Sequence, residues 1–353
     1  MKKCHTAYVA CAAALIGTGL GAARPVTGSV VHVVRPGQSI QKAVDAAKAG
    51  DTVVVKAGTY HESVKLTKSG VTLRGEGART VIKPGRKKAA NSCAEGGNGI
   101  CVVGTKSRPV KNVTVAKLTV TGFTKAGVFG VGTDHLAVRQ VTAEKNKVWG
   151  IAEERSVSSL IRGNTVRNNG DAGVFLANTL LTEQGAKDTK GTIVDLNRLE
   201  GNRIGVTVRR LRNLTVAHND VTGNCAGVFV VGDENKPKAG KAIVADNRIN
   251  GNNKYCPKTA RLPYLKGSGI VLTGAEDTLV IGNEVTGNTG KSPLSGGIVL
   301  YKSFVGTTSE RNRITDNRLE RNAPADIVNQ ESAKRNNTFQ RNTCGSSKPA
   351  GLC

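Results

Sequence analysis

The chain has 353 residues, with 51 Lys and Arg against 26 Asp and Glu, and a formal net charge of +25 at pH 7. Only 38% of the residues are hydrophobic, and charges of both signs are spread among them, which excludes a protein with many membrane spans and argues against general disorder. The 43 glycines disfavour an ordinary helical enzyme, because glycine weakens helices, and favour an extended, turn-rich β architecture.

The first 23 residues have the features of a signal peptide. Positions 2 and 3 are lysines, residues 7–20 are apolar and small, and residues 21–23 (Gly-Ala-Ala) offer a cleavage site between small residues. A membrane anchor is the alternative, but the apolar stretch is short for a span and rich in glycine. We therefore expect residues 1–23 to be removed and residues 24–353 to be secreted, with no membrane span after processing.

Residues 34–83 are predicted to form an N-terminal cap and the first strands. Ser39 is the expected N-cap of a short helix that Gly50 ends. The segments that begin at Asp51 and Val71 are predicted as strands. Such a helix would cover the end of a stack of strands, as a solenoid needs for solubility. Its apolar face would consist of Ile40, Ala43, Val44 and Ala47.

Residues 84–343 contain a repeat in which an Asn is followed five positions later by a second Asn. Upstream, the same two columns continue as Leu118/Phe123 and Val141/Asn146, and Asn342 closes the first column. After each pair comes a Gly that begins an alternating apolar run. Six consecutive units carry the pair, as Asn164/Asn169, Asn197/Asn202, Asn219/Asn224, Asn247/Asn252, Asn283/Asn288 and Asn317/Asn322.

The period of this repeat predicts the fold. Gly127, Gly150 and Gly173 are 23 residues apart, and a unit of that length with three short strands is one coil of a parallel β-helix. Coils must stack because each exposes unpaired strand edges. We expect the Asn residues to adopt left-handed backbone at sharp turns and their amides to hydrogen-bond from coil to coil. Leucine-rich repeats also have Asn ladders, but their Leu-rich consensus is absent here.

Two parts of the sequence resemble a known superfamily. Residues 36–55, followed by Gly58-Thr-Tyr-His-Glu62, resemble the N-terminus of pectin-lyase-like right-handed β-helix proteins. The Asn columns resemble the NosD-type repeat of that superfamily. The resemblance covers almost all of residues 24–353 and implies an all-β fold, a single-stranded right-handed parallel β-helix with a short N-terminal capping helix. It implies no single activity, because the superfamily contains lyases, hydrolases, esterases, epimerases and binding proteins.

Six cysteines follow the predicted signal peptide, and an even number in an exported chain favours disulfide bonds. A metal site is the alternative, but the chain has no Cys-x-x-Cys motif and no His beside a cysteine pair. Cys225 follows Asn224, and Cys256 lies shortly after the equivalent Asn of the next coil, so stacking would bring the two together. The other expected pairs are local, Cys93 with Cys101 and, in the tail of residues 344–353, Cys344 with Cys353.

Unequal loop lengths indicate where a site would lie. The spacing between the two Asn columns is constant, whereas insertions flank the Gly-led strand on both sides. A strand between two banks of variable loops is expected to form the floor of a groove, and in the resembled superfamily this outer face is usually the substrate cleft. Strand alternation then assigns two outward-facing rows. They are Phe129, Ala152, Phe175, Thr207, Phe229, Val271, Val299 and Val328, and Glu154, Ala177, Arg209, Val231, Thr273 and Tyr301.

Catalytic candidates in these rows are weak. Glu154 and Arg209 would lie two coils apart, roughly 10 Å at about 4.8 Å per coil, with Tyr301 three coils further, so a base and a charge-stabilising group do not converge. Motifs like those of polygalacturonases are absent. Gly58 to Glu62 resembles the first pectinesterase block, but the later Asp-containing blocks are absent. These residues are therefore predicted to form a turn and a strand of the end coil. Residues 261–266 (Arg-Leu-Pro-Tyr-Leu-Lys) resemble the pectate-lyase Arg-x-Pro-x-x-Arg motif. The candidates are Arg209, Arg261, Lys266 and Tyr301.

The net charge predicts an acidic partner. Several basic clusters fall on the insertions, and such a field attracts polyanions, although solubility alone is an alternative explanation. For an exported protein we expect an acidic polysaccharide or cell-wall polymer rather than nucleic acid, because aromatic residues are too few for dedicated nucleic-acid binding. The predicted ligand-binding residues are Phe129, Phe175, Arg209, Phe229, Lys258, Arg261, Lys266 and Tyr301.

Three functions remain open at this point. The first is a non-catalytic binder of acidic glycans, the second an atypical polysaccharide lyase, hydrolase or epimerase, and the third a structural solenoid whose apolar groove floor docks a partner. We expect a monomer without a cofactor. Calcium at Asp233-Glu234 or Glu276-Asp277 stays open, although both pairs look like ordinary loop acids. No other metal is expected, and a single Met argues against a copper-handling role.

Overall fold

The computed structural model describes residues 28–85 and 91–353. The predicted signal peptide and most of the basic stretch around residues 83–88 lie outside the described residues. The described chain is a parallel β-helix in which successive coils place one short strand on each of three sheets. Each strand turns alternate side chains inward, so Val138, Ala143 and Ile151 of three different sheets meet in one buried core.

The first sheet has thirteen strands, and Ala275–Glu276 pairs beside its main path. The twelve strands on the path are Val31–Val34, Thr52–Val55, Thr72–Gly75, Thr114–Ala116, Ala137–Arg139, Leu160–Arg162, Lys187–Asp195, Leu211–Ala217, Ala239–Ala245, Leu279–Ile281, Arg313–Thr315 and Thr338–Gln340. The ten strands of the second sheet are Gly58–His61, Thr80–Lys83, Thr119–Thr121, Thr142–Glu144, Thr165–Arg167, Arg198–Glu200, Asp220–Thr222, Arg248–Asn250, Glu284–Thr286 and Arg318–Glu320.

The third sheet contains the Gly-led strands of the repeat. Its eleven strands are Val64–Leu66, Ile100–Val103, Ala126–Val131, Trp149–Glu154, Ala172–Ala177, Ile204–Arg209, Ala226–Val231, Ser268–Thr273, Gly296–Leu300, Ile327–Asn329 and Ser347–Lys348. A separate two-stranded sheet pairs Val110–Lys111 with Thr133–Asp134. The last strand of the third sheet lies within the C-terminal tail, so this tail extends the solenoid rather than only following it.

The Asn columns form two buried ladders, as predicted. Asn197 is representative: its backbone N–H and its Nδ2 both donate to Oδ1 of Asn219 in the next coil, each at 2.9 Å. The same Nδ2 donates to the carbonyl of Ile161 in the preceding coil at 2.9 Å. Each amide therefore joins its coil to the coil before and the coil after it, which satisfies backbone groups that would otherwise be buried without partners.

The predicted backbone conformation of these Asn residues is wrong by one position. The left-handed residue precedes each ladder Asn, as at Leu196 with φ 55° and His218 with φ 53°. Glycine occupies the same position in other coils, as at Gly163 and Gly282. The Asn side chain must point inward to reach the next coil, and the left-handed residue before it turns the chain by the required angle.

The N-terminal cap is a helix over Ile40–Ala46, and Ser39 is its N-cap, as predicted. The helix ends before Gly50, because Ala47 already has extended backbone. Ile40, Val44 and Ala47 are buried against the first coil. Glu62 accepts hydrogen bonds from the backbone of Ile40 at 2.7 Å and of Gln41 at 3.1 Å, so this acid of the pectinesterase-like segment caps the helix.

The remaining helical segments are short: an α-helical turn over Ser92–Glu95 and a 3₁₀ turn over Ala333–Arg335. The three predicted disulfide bonds are present, joining Cys93 to Cys101, Cys225 to Cys256 and Cys344 to Cys353. Within the described residues, no helix combines the length and the apolar character needed to cross a membrane.

Candidate functional site

The predicted outward-facing rows of the third sheet are in register in the structure. Phe129 pairs with Ala152, which pairs with Phe175, and the row continues without a break to Val328. In the second row, Glu154 pairs with Ala177 and Ala177 with Arg209. The repeat alone therefore predicted which side chains leave the same face of the sheet.

Most of this face is not an open groove floor, so that part of the prediction is wrong: in the first half Ala152, Phe175 and Thr207 are already buried. Phe229 is only 2% exposed, and Val271 and Val299 are fully buried. They pack with Leu265 of the 253–267 loop and with Leu294 in a second apolar cluster outside the β-helix core. Burial of apolar surface drives the insertions to fold onto the sheet instead of standing beside it.

Several residues of the basic clusters anchor these insertions and do not face solvent. Arg203 is 6% exposed, and its Nη1 donates to the carbonyl of Pro257 at 2.7 Å. Arg210 is 1% exposed, with Asp233 Oδ2 at 3.2 Å from its Nη1. Lys238 is also buried and donates to the carbonyl of Thr308 at 3.1 Å. These cations hold loops on the scaffold, so they contribute little to a surface that a polyanion would contact.

The Cys225–Cys256 bond gives the 253–267 loop a covalent anchor. Replacing both cysteines by Ser should destabilise the protein by about 2–4 kcal/mol, because the bond closes a 31-residue segment. The 253–267 loop should also become more sensitive to proteases when this bond is lost. Removing the Cys93–Cys101 bond, which spans 8 residues, is the control and should cost less. Thermal melting and limited proteolysis measure both effects, and non-reducing peptide mapping that joined Cys93 to Cys344 would contradict the pairing.

Arg209 is the exception among the basic residues near the scaffold. Its side chain is half-buried on the outer face of the third sheet and has no carboxylate partner within residues 28–85 and 91–353. Burial, together with the neighbouring Arg210 and Arg261, lowers the pKa of Arg209 to about 10. The guanidinium is thus still protonated at pH 7, partly stripped of water and repelled by both arginines, which Asp233 and Glu183 offset only in part. A bound anion would offset all of these costs.

The single tryptophan of the chain lies on the same face of the third sheet, two coils before Arg209 and at the opposite end of the strands. Trp149 stacks on Phe175 with ring centroids 4.8 Å apart, and Lys125 Nζ lies 5.8 Å from the centroid of its ring. The indole nitrogen donates to Asp171 Oδ2 at 3.1 Å, which fixes the orientation of the ring. Burial raises the pKa of Asp171, although this hydrogen bond opposes the effect.

These residues form one candidate site, which we call the aromatic–arginine surface: Phe129, Trp149, Phe175, Arg209 and Arg261. Phe175 and Arg209 belong to adjacent coils, and their Cα atoms are roughly 8 Å apart from strand geometry. Phe129 and Trp149 are half-buried, and Arg261 is exposed. Phe175 itself is only 8% exposed, and Trp149 lies two coils and about 16 Å along the strands from Arg209. The surface is therefore an extended strip with aromatic side chains at one end and two cations at the other, an arrangement suited to a polymer of ring-shaped units that carry acidic groups.

The remaining predicted site residues do not join this surface. Lys258 and Lys266 are exposed on the 253–267 loop. Tyr301 is 8% exposed and packs against Phe304 with ring centroids 4.9 Å apart. Its burial raises the pKa of its hydroxyl, and it lies three coils beyond Arg209, as predicted.

Glu154 is the nearest acid in the row of Arg209. Its Oε1 accepts a hydrogen bond from the backbone of Leu180 at 3.3 Å and lies 3.2 Å from Nη1 of Arg155. Ala177 separates it from Arg209, which keeps the two Cα atoms about 10 Å apart. A ligand between them would contact an acid on one side and a cation on the other.

Three of the four acids considered for calcium are engaged with arginines, and Glu234 is the exception within the described ranges. Asp233 pairs with Arg210, and Glu276 and Asp277 both pair with Arg311 at 2.8 Å. In the part of the chain that the structure describes, no group of three or more His, Cys, Asp or Glu side chains is arranged to bind a metal ion.

Sequence reasoning missed Trp149, Lys125 and Asp171. The available signal was the position of the only tryptophan, directly before Gly150 at the start of a third-sheet strand. Strand alternation counted from the residue after that Gly omits the first outward position of each strand. Pairing of Trp149 with Ala126 shows that this position forms a row of its own.

A comparison with protein families agrees with the fold described above. A family model described as "Right handed beta helix region" matches residues 59–240, just over half of the chain. The chain belongs to the right-handed β-helix family. A second model, described as "Periplasmic copper-binding protein (NosD)", matches residues 181–350. Within that segment His218 is the only histidine, the three cysteines form disulfides and no methionine occurs, so a copper-binding donor set is not present there.

Solved structures with this fold are similar along most of their length. The A-module of a mannuronan C-5 epimerase from Azotobacter vinelandii has a TM-score of 0.55 at 19% identity, over 86% of this chain and 90% of that one. An alginate lyase from Paenibacillus sp. has a TM-score of 0.53 at 15% identity, over 86% and 98%. DFA-IIIase from Arthrobacter chlorophenolicus reaches 0.58 at 12% identity, over 90% and 93%. No curated protein matches the sequence.

Proposed function

We propose that this protein is an exported right-handed β-helix protein that binds an acidic polysaccharide of the cell envelope through the aromatic–arginine surface. The observation that carries the proposal is Arg209, a half-buried cation beside Arg261 with no carboxylate partner in the described ranges. A polymer carboxylate would supply the missing counter-charge, and sugar rings would pack their apolar faces on Trp149.

Three further observations support the same class of ligand. The net charge of +25 draws polyanions towards the protein and raises their encounter rate. Structural neighbours include an enzyme named for mannuronan and another named for alginate, both acidic polysaccharides. Three disulfide bonds and a match to a family model described as periplasmic are consistent with export.

The test is binding to alginate and to polygalacturonate at low and high salt. The double variant Arg209→Gln with Arg261→Gln should bind roughly tenfold more weakly at low salt, because both unpaired cations of the surface are lost. Trp149→Ala should weaken binding with little change in the salt dependence. The stability of each variant is checked by thermal melting, so that loss of fold is separated from loss of binding.

A matched control removes two charges elsewhere. Arg248 and Arg313 are exposed on the outer faces of the second and first sheets, far from the third. The variant Arg248→Gln with Arg313→Gln has the same net charge as the test variant and should keep nearly full affinity. Equal losses from the two double variants would mean that only total charge matters, and would contradict a site at Arg209.

A polysaccharide lyase, hydrolase or epimerase remains the second candidate function. The specific observation in its favour is that Glu154 and Arg209 share one outward row with only Ala177 between them. Such an enzyme would use Glu154 as a general acid or base and Arg209 to stabilise a substrate carboxylate. New reducing ends, unsaturated products or a change in uronate stereochemistry that disappeared in Glu154→Gln would establish it. Retention of the polymer without any product would establish the binder.

A further inference from the structure

A cleft exists two coils beyond Arg209, where loop lengths change abruptly. The strand Ser268–Thr273 is followed by a turn of one residue, Gly274, whereas the strands of the coils on either side lead into the long loops 232–238 and 301–312. The two long loops therefore stand as walls, and the short turn between them forms a floor. Coil spacing makes the walls roughly 10 Å apart at their base.

Gly274 is required for this arrangement. Its φ is +60°, and a Cβ at this position would lie 2.4 Å from Thr307 Cγ2 and 2.8 Å from the carbonyl oxygen of Gly232. Any other residue would thus be strained and would collide with both walls. A loop longer than this single residue would fill the cleft.

The cleft has a volume of about 290 Å³, and its walls are held together from below. Buried Lys238 of the first wall donates to the carbonyl of Thr308 in the second at 3.1 Å and pairs with Glu310 at 3.0 Å. The third donor of this ammonium bonds the hydroxyl of Thr308 at 3.2 Å, so Lys238 braces the cleft and is not available to a ligand. A site held in this way is preorganised.

Two other cations line the cleft and remain available. Lys236 is exposed on the first wall, and the nearest carboxylate oxygen to Arg335 on the second side is Glu310 Oε2, at 4.0 Å. Val305 adds an exposed apolar surface, and Glu234 is the one carboxylate among the lining residues that is not in an ion pair within the described chain. The lining thus combines two cations on opposite sides with one apolar side chain, which suits a sugar ring that carries an acidic group.

We propose that this cleft is a second binding site for an acidic sugar residue, with Lys236 and Arg335 contacting its carboxylate. The proposal rests on the function proposed above and names a further part of the same binding path. The centre of the cleft lies two coils from Arg209 along the helix axis, roughly 10 Å. One polysaccharide chain that runs along the axis can therefore contact both sites, and linked contacts raise affinity beyond that of either alone.

The experiment measures alginate binding at low salt for Lys236→Gln with Arg335→Gln. This variant should bind roughly five- to tenfold more weakly than wild type, because two exposed ion pairs with the ligand are lost. The loss should be larger for the polymer than for short oligosaccharides, which cannot span both sites. Glu234→Gln should act in the opposite direction and strengthen binding, because it removes the unpaired acid from the cleft.

The matched control is again Arg248→Gln with Arg313→Gln, which removes the same charge outside the cleft. If the cleft variant binds like this control while the Arg209 and Arg261 variant loses affinity, the second site is wrong and the proposed function stands. If neither variant differs from the control, the proposed function itself is contradicted. Selective loss from both variants, with stronger binding by Glu234→Gln, supports both sites.

Discussion

Asn219→Ala should lower the free energy of unfolding by about 2–4 kcal/mol and reduce the melting temperature accordingly. Oδ1 of Asn219 accepts from the backbone N–H and the Nδ2 of Asn197, both at 2.9 Å. Its own Nδ2 donates to the carbonyl of Val194 at 3.0 Å and to Oδ1 of Asn247 at 2.9 Å. Alanine removes all of these bonds at once and leaves buried groups in two other coils without partners.

The size of this effect should depend on position in the ladder. Asn342 ends the first column, where it still accepts from Asn317 but has no further Asn to bond, so Asn342→Ala should cost less. Asn250→Ala is the matched control, because Asn250 lies on the outer face of the second sheet. Thermal and urea unfolding of the three variants measure the differences. Equal melting temperatures for wild type and Asn219→Ala would show that the ladder amides do not stabilise the stack.

Features that repeat from coil to coil were predictable from the sequence. A period of two along a strand and a constant spacing between Asn columns fix the register, so the pairing of Phe175 with Thr207 and of Ala177 with Arg209 followed directly. The capping helix was also predictable, because Ser39 and the apolar face of residues 40–47 are local signals. Disulfide pairing followed from the stack, which places Cys225 and Cys256 in adjacent coils.

Features of the insertions were not predictable, because they depend on contacts distant in sequence. Nothing near Phe229 indicates that Leu265 will cover it, and nothing near Arg203 indicates that its guanidinium will bind the carbonyl of Pro257, 54 residues away. From the sequence alone, a basic residue in a cluster is predicted to be an exposed charge. For this reason the candidate site lies closer to the N-terminal coils than the sequence predicted, and it includes Trp149.

Glu153 lies between these two classes, because its inward direction follows from the repeat but its surroundings do not. Alternation that turns Ala152 and Glu154 outward also turns Glu153 inward, a consequence that sequence reasoning missed. In the structure it is 3% exposed and lies between Gly130 and Leu176 of the neighbouring coils. Its Oε1 has no hydrogen-bond partner among the described residues, and a small cavity of about 10 Å³ lies beside it.

We expect this carboxyl group to make the stability of the protein depend on pH. Burial raises the pKa of Glu153 from 4.5 to about 7, and the hydroxyl of Ser159 opposes the shift only in part. Below pH 4.5 the group is protonated in both the folded and the unfolded state. Between pH 4.5 and about 7 the folded protein retains a proton that the unfolded chain releases, so stability falls as the pH rises. Above pH 7 both states are ionised and the loss is complete.

The variant Glu153→Gln isolates this effect. The difference in unfolding free energy between Glu153→Gln and wild type should grow by about 3 kcal/mol from pH 4.5 to pH 8, in favour of the variant, because only wild type must bury a charge. Glu284→Gln is the matched control, since Glu284 is exposed on the outer face of the second sheet and should leave the pH dependence unchanged. Urea unfolding at several pH values measures the difference. A difference that stays constant across this range would mean that Glu153 is solvated in the folded protein, with the coils around Ser156 and Thr192 open to water.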